Sequence, residues 1–572
     1  MQYRADIQKR KRNFLPDTFA LTDWASLEPW YKQLLEREIH SAPELEQWLA
    51  NLSELEAALS EDACWRQIRM TCDTENKSLE EAFQYFCLEI QPHIDAYDDK
   101  LNRKLVSCPY LNELDQQQYH TFLRNTRKSL ELFCEANIPL RASLSVMQQQ
   151  YAVITGKMTV TVEGREYTIP QAAKFLEHEN RDLREQVYMK MNERRVQDKD
   201  ALDELYTKLV EQRTQMAKNA GFENYRDFKF KELGRFDYTK EDCFRFHEGV
   251  RLHVMPLANA IFADKKKKLG LDTLKPWDTE AEPAGIKPLN PFSTGEELLE
   301  KSIQCFEHLH PFFAACLRKM KELQHFDLES RKGKAPGGYN CPLAESGAPF
   351  IFMNAAGQMR DVTTMVHEGG HAVHSFLAHP LPLNAFKDYP MEIAEVASMA
   401  MELFTMDYWD VFFTNPDDLK RAKMQQLEKI ITLFPWIATI DRFQHWVYEH
   451  PTATVAEREE EWVRILNDYS SPEIDITGLE PYRRSNWQRQ LHLYEVPFYY
   501  IEYGIAQLGA IGMWMQYRQN PQQAIDNYCN ALSLGGTRTL PELYKTAGLD
   551  FDFSPEKIKT LMDFVDAEMR NL

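Results

Sequence analysis

Val362-Thr363-Thr364-Met365-Val366-His367-Glu368-Gly369-Gly370-His371-Ala372-Val373-His374 has the pattern of one helix. Val362, Met365 and Val366 fall at i, i+3 and i+4, the spacing of an apolar face. His367 and His371 are four apart, so both imidazoles project from one side, a turn from each other. In this His-Glu-x-x-His spacing two neutral imidazoles can bind one Zn²⁺ at about 2.0–2.1 Å each. Glu368, turned by about 100°, reaches a water beside such an ion rather than the ion itself, which is the place of a general base. So short a motif also arises by chance in helical proteins, and its surroundings must support it. The flanks are largely apolar, which argues against a surface helix. Gly369 and Gly370 each cost about 1 kcal/mol relative to Ala inside a helix. The pair therefore predicts a close approach at this point, by a neighbouring helix or by a substrate.

A catalytic zinc site takes three protein ligands and keeps a fourth position open. The helix is expected to stop near His379-Pro380-Leu381-Pro382, and a second one to cover Met391–Phe404 after Pro390. On it Glu395, Ser398, Met399 and Glu402 form one stripe (i, i+3, i+4, i+7). Glu395 follows His371 by 24 residues (395 − 371), enough for a turn and an antiparallel return. Glu395 is the expected third ligand and Glu402 the acid that orients an imidazole. Glu392 is the competing ligand, and for any single one of these acids a solvated helix face is the plain alternative.

His367-Glu368-x-Gly370-His371 followed by Glu395-Val396-x-Ser398 resembles the M3 family of zinc oligopeptidases, and within it the oligoendopeptidase F branch. Gly369 departs from the family, which usually has an apolar residue there. The resemblance implies a mainly α, two-lobed zincin-type body with a deep channel and a small β element beside the zinc helix. It also implies one zinc ion on His367, His371 and Glu395, Glu368 as catalytic base, and short unstructured peptides as substrates.

A second constellation lies in Arg489–Ala506, where His492, Tyr494, Tyr499, Tyr500 and Tyr503 crowd together. Pro497 suits the first turn of a helix, on which Tyr500 and Tyr503 share a face. Peptide hydrolysis builds negative charge on the carbonyl oxygen, and phenol O–H and imidazole N–H groups can donate to it. An aromatic core stripe would read the same way. Here the resemblance decides for His492, Tyr500 and Tyr503 as catalytic donors, with Tyr499 a further tyrosine at the substrate. The spacing from His to the tyrosines is one residue shorter than in the animal-type branch, and Val496 stands close to where the family has another tyrosine.

Upstream of the motif, Arg331-Lys332-Gly333-Lys334-Ala335-Pro336-Gly337-Gly338-Tyr339 leads to the apolar run Ala348–Asn354. A strand beside a zinc helix can pair with an extended peptide; an ordinary loop and buried strand would look alike. No G-K-[ST] follows, so this is no phosphate loop. The stretch is similar to that of oligoendopeptidase F-like members, which points to Gly337, Gly338 and Tyr339 as substrate-binding.

The 572 residues are 44% hydrophobic and 27% charged, the composition of a globular chain with a large core. Lys+Arg 67 against Asp+Glu 87 gives −20, which speaks against nucleic acid. Ten cysteines without a C-x-x-C pair, a polar N-terminus and no long apolar run point to reduced thiols, no membrane span and the cytoplasm. From Asp23 to about Gln149 the pattern is helical, and Met158–Ile169 then alternates about Glu163-Gly164 as a hairpin. The expected division is an N-terminal helical lobe, 1–155, and a catalytic domain, 156–572. One helix is predicted over Gln171–Val196, and His445 reads as a core histidine. The expected function is a zinc-dependent metalloendopeptidase of short peptides. The alternatives are a carboxypeptidase-type zinc exopeptidase and a non-catalytic helical binding protein. No oligomeric state follows from the sequence.

Overall fold

The stop before Pro380 and the restart after Pro390 both hold in the folded chain. A computed structural model describes residues 3–7 and 9–572. The motif helix runs Met359–Ala378 and the returning helix Met391–Thr405. Asp361 fastens the start of the motif helix, its Oδ2 accepting from the backbone N–H of Ala356 at 2.7 Å and Gln358 at 2.9 Å. A carboxylate in a first turn also opposes the helix dipole favourably.

The chain forms two compact units, each assembled from separate stretches. One takes in residues up to Leu130, Leu289–Lys423 and Ala506–Phe551; the other Glu131–Pro288, Met424–Ile505 and Asp552–Leu572.

In the first unit, helices Trp24–Glu36, Ala42–Cys72 and Gln91–Val106 bury Leu27, Leu34, Trp48, Leu55 and Leu101 in one cluster, which Leu383 and Phe386 complete. A three-stranded sheet precedes the motif helix. Its middle strand, Phe350–Ala355, runs parallel to Phe326–Glu329 and antiparallel to Tyr339–Cys341. The middle strand is buried except at Asn354, as a continuous apolar run should be. Since it is paired on both sides, it has no edge to offer a peptide, contrary to the simplest reading of Ala348–Asn354. Of the three strands of this sheet, only the outer two keep an edge. Tyr339–Cys341 is an outer strand that reaches the motif helix, with Asn340 Nδ2 donating to Glu368 O at 3.2 Å.

The second unit is helical around the hairpin Thr159–Val162 and Arg165–Thr168; the boundary expected near residue 155 lies inside it. The helix predicted over 171–196 is broken. Ile169–Ala173 and a 3₁₀ turn at Lys174–Glu177 come first, then Arg181–Gln197. The reason is Asn180, whose Oδ1 accepts from the N–H groups of Asp182 and Leu183 and so starts a new helix. Pro497 is not in a first helical turn either. The tyrosine helix begins at Tyr500. Phe498 stands at φ +67°, its N–H bound to Gln444 Oε1 at 2.6 Å and its carbonyl taken by Arg235. All ten cysteines are free. Among the described residues no helix is long and apolar enough to cross a membrane.

Candidate active site

The two glycines of the motif are answered by two neighbouring helices. A Cβ on Gly370 would stand 2.6 Å from Ala397 O and 2.7 Å from Ser398 Cα, so the motif helix and Met391–Thr405 meet backbone to backbone. A Cβ on Gly369 would stand 2.6 Å from the ring of Phe306, on helix Gly295–Leu309. The first crossing brings Glu395, one turn before Ser398, to the imidazoles. Its Oε2 lies 3.4 Å from His367 Nε2 and 3.7 Å from His371 Nε2. The two rings are 5.0 Å apart at 84°. One ligand atom from each of His367, His371 and Glu395 lies within 4.8 Å of the other two.

The partners around these three groups prepare them for a cation. Glu402 Oε1 sits 2.7 Å from His367 Nδ1, which leaves Nε2 facing the cluster. Ser398 Oγ donates to Glu395 Oε2 at 3.0 Å. Burial disfavours an ionised Glu395, but the hydrogen bond and charge of His367 outweigh it and hold the pKa at about 2. Burial, helped by the charge of His367, lowers His371 to about 4. Neutral imidazole and ionised carboxylate are the forms in which these side chains ligate zinc. His371 and Glu395 already hold them, whereas burial of His367 is outweighed by Glu395 and Glu402, which raise its pKa well above the ordinary value; His367 would give up its proton to a bound cation, and with that the donor set fits zinc. Glu368 is 8% exposed, and burial raises its pKa to about 7. Glu392 is buried beside Tyr544 and lies outside the cluster.

The loop before the site is pinned rather than slack. Asp327 holds Arg331 at 2.6 Å and Lys334 at 2.8 Å, and Asn354 Nδ2 donates to Ala335 O and Gly337 O, both at 2.8 Å. Tyr339 stacks on Phe352 at 4.8 Å, and its hydroxyl bonds Thr71 Oγ1 at 2.6 Å. What Gly337, Gly338 and Tyr339 have left to offer a peptide is therefore main chain.

In the second unit the structure brings His492 together with the three tyrosines. Ring centroids lie 4.8 Å from His492 to Tyr500 and 6.1 Å to both Tyr499 and Tyr503, with Tyr499 5.3 Å from Tyr503. All four are half-buried, unlike the core residue Tyr494, which speaks against a plain core stripe. Burial raises Tyr500 to about 12 and lowers His492, so both stay neutral donors near pH 7. A chain of two hydrogen bonds fixes the imidazole. Trp436 Nε1 donates to Gln490 Oε1 at 2.8 Å, and Gln490 Nε2 stands 2.6 Å from His492 Nδ1. An indole N–H only donates, so it orients the amide; the amide N–H₂ then makes Nδ1 the acceptor and leaves the ring proton on Nε2. Neither Gln490 nor Trp436 carries a sequence signal for this role. Nor did Asn340, and Ser398 was legible only as a member of the Glu395 stripe.

The profile of Peptidase family M3 matches residues 174–562, more than half of the chain. The chain belongs to this family. The Peptidase M3 N-terminal domain matches residues 14–133, and M3 peptidases are generally zinc-dependent. An oligoendopeptidase F homolog of Borreliella burgdorferi is 24% identical over 66% of this chain and 63% of its own length. Oligopeptidase PepF of Bacillus subtilis is 25% identical over 78% of this chain and 66% of its own. The alignments thus span under two thirds of the length of these curated relatives. The solved structure of PZ peptidase A with inhibitor 2 superposes with a TM-score of 0.88 at 27% identity, covering 98% of this chain and 99% of that one. A putative oligoendopeptidase F structure gives 0.88 and 27%, covering 97% and 98%. This M3 chain shares their mainly α fold with small β elements.

Proposed function

We propose that this M3 chain is a zinc-dependent endopeptidase that hydrolyses internal bonds of short, unstructured peptides. The observation that carries this reading is the convergence of His367 Nε2, His371 Nε2 and Glu395 Oε2, with Glu402 fastened to the far nitrogen of His367 and Glu368 buried beside it. Zinc is assigned to those three ligands. When bound, the ion supplies positive charge that polarises the scissile carbonyl and makes water acidic enough to react near neutral pH. Glu368, poised at about 7, takes the proton of the attacking water and returns it to the leaving amine. His492, through Nε2–H, and the phenols of Tyr500 and Tyr503 are assigned to the carbonyl oxygen as it gains charge. Tyr499 and the main chain of Gly337–Tyr339 are assigned to holding the peptide.

Glu368→Gln tests the central assignment. Zinc content is expected to stay at the wild-type level while turnover falls by about 10³-fold or more, the scale of losing a general base; a variant that turns over normally would overturn it.

Trimming from the carboxyl end has one observation in its favour. Arg489, stacked on Trp436 at 4.3 Å, lies with Arg195 beside Tyr188, and Tyr500 is a further neighbour of Arg489; a guanidinium pair suits a terminal carboxylate. A peptide blocked at both ends separates the two modes. Cleavage of it is expected for an endopeptidase, and mass spectrometry of the products identifies the bond.

A further inference from the structure

Two i, i+4 pairs meet inside the second unit: Cys243 and His247 on helix Lys240–Gly249, and Asp441 and His445 on helix Pro416–Glu449. The Sγ of Cys243, a carboxylate oxygen of Asp441 and a ring nitrogen of His445 lie within 4.8 Å of one another. His247 Nε2 is 2.8 Å from Asp441 Oδ2, and His445 Nε2 is 3.3 Å from the same oxygen. All four side chains are buried, none more than 3% exposed. The rings of Phe230, Phe244 and Phe498 pack around His445 at 5.8, 4.9 and 5.3 Å. Arg235, whose charge is felt at Cys243, is paired with Glu502 at 2.9 Å.

Protein groups alone leave this set incomplete. Among the described residues, Nδ1 of His445, Nδ1 of His247 and Oδ1 of Asp441 find no hydrogen-bond partner, and His445 Nε2 has only its 3.3 Å approach to Asp441, although buried polar groups are nearly always partnered. A carboxylate sealed from water also calls for a cation beside it. Helix pairs that present ligands a turn apart are a recurrent way of building a metal site inside a bundle.

We propose that Cys243, Asp441 and His445 bind a second, structural zinc ion, with His247 holding Asp441 by its hydrogen bond. Thiolate, carboxylate and imidazole are donors that zinc accepts. The charges close, one dication against one thiolate and one carboxylate. Binding forms the sulfur–zinc bond and releases the thiol proton to solvent, with no change of oxidation state. The ion ties helix Lys240–Gly249 to helix Pro416–Glu449 and takes no part in turnover itself.

Metal analysis and cobalt substitution test this on the whole protein. Purified without chelator, wild type is expected to carry about two zinc ions per chain, a His367→Ala/His371→Ala variant about one, and the same variant with Cys243→Ser none. Cobalt-loaded wild type is expected to show a thiolate-to-cobalt charge-transfer band in the near ultraviolet. Two imidazoles and a carboxylate cannot produce that band, and Cys243→Ser should remove it. A cobalt-loaded wild type without the band overturns the proposal even if the variants fail to fold. So does a His367→Ala/His371→Ala chain that folds and holds no zinc. Failure at His367 and His371 looks different: wild type would then hold one zinc with the band intact, and the double variant would match it.

Discussion

His492 can donate to a substrate oxygen only from a protonated Nε2, and that state is decided two residues away. Gln490, oriented by the indole of Trp436, accepts no proton at its nitrogen, so the imidazole must. Gln490→Leu frees the tautomer and is expected to lower kcat about tenfold or more, against roughly 10²–10³ for removal of an oxyanion donor outright; KM should change little. Gln490→Glu is the sharper test. A carboxylate at this place raises the pKa of His492 by favouring the imidazolium. Below that raised pKa both nitrogens carry protons and donation from Nε2 survives; above it the carboxylate keeps the proton on Nδ1. Activity of Gln490→Glu should therefore fall as pH rises through the neutral range, relative to wild type. A pH–rate profile parallel to wild type would leave Gln490 a merely structural residue. At this scale the sequence was uneven. His367, Glu368 and His371 were legible because helical spacing alone puts them on adjoining faces, and Glu395 because a stripe repeats. Gln490 and Trp436 were not, since a bond between residues 54 apart leaves no periodic trace.

The helix crossing at Gly370 shows how an element can be tuned by a missing atom. Alanine would gain about 1 kcal/mol of helix propensity, but its Cβ would press on the backbone of Ala397 and Ser398, which cannot rotate away, at about 3 kcal/mol. Gly370→Ala is thus expected to be less stable by about 2 kcal/mol and to lose zinc affinity, as Glu395 is pushed from the imidazoles. At Gly369 the obstacle is a side chain, so Gly369→Ala should be rescued in part by Phe306→Leu; thermal melts of the single and double variants measure the coupling. The strand Phe326–Glu329 carries a second dependence. Burial would raise Asp327, but Arg331 and Lys334 hold it at about 2, below its ordinary 3.8. The folded-state value is the lower one, so this stability is present above pH 4 and is lost as pH falls from about 4 to about 2, some 2 kcal/mol in all. Asp327→Asn should remove that slope from a plot of urea midpoint against pH. It also leaves Lys334, whose side chain is 0% exposed, without its carboxylate, at about 3–5 kcal/mol. The existence of these elements was readable: the hairpin, the motif helix and its return follow from alternation, periodicity and proline. Their breaks were not, because Asn180 and Phe498 act through a pair of hydrogen bonds each, which override an otherwise helical pattern.

On the scale of the whole molecule, chain order and spatial order part company. Sequence patterning suggests a cut at the hairpin, yet each compact unit draws on three separate stretches. The sheet that precedes the motif helix shows what such a cut would expose. Phe350, Phe352, Cys341 and Leu343 are buried against Ile68, with Trp65 packed alongside, and Leu383 and Phe386, from the connection between the two site helices, are buried in the cluster built by residues 15–123. Periodicity reports which face of an element is apolar but not which distant helix covers it, so this dependence is invisible before the fold is known. A fragment of residues 156–572 keeps every proposed ligand and catalytic residue. It is nevertheless expected to lack cooperative unfolding and stoichiometric zinc, because five large apolar side chains around the site elements lose their cover, each at roughly 1.5–3 kcal/mol, against a total stability of about 5–15 kcal/mol. Adding residues 1–155 as a separate chain should restore both, since the missing surface is then supplied without a peptide bond. Calorimetry and metal content on the fragment, alone and complemented, check this directly. A fragment that melts sharply and binds zinc by itself would mean that the helices of residues 15–123 contribute little to holding His367, His371 and Glu395 in register.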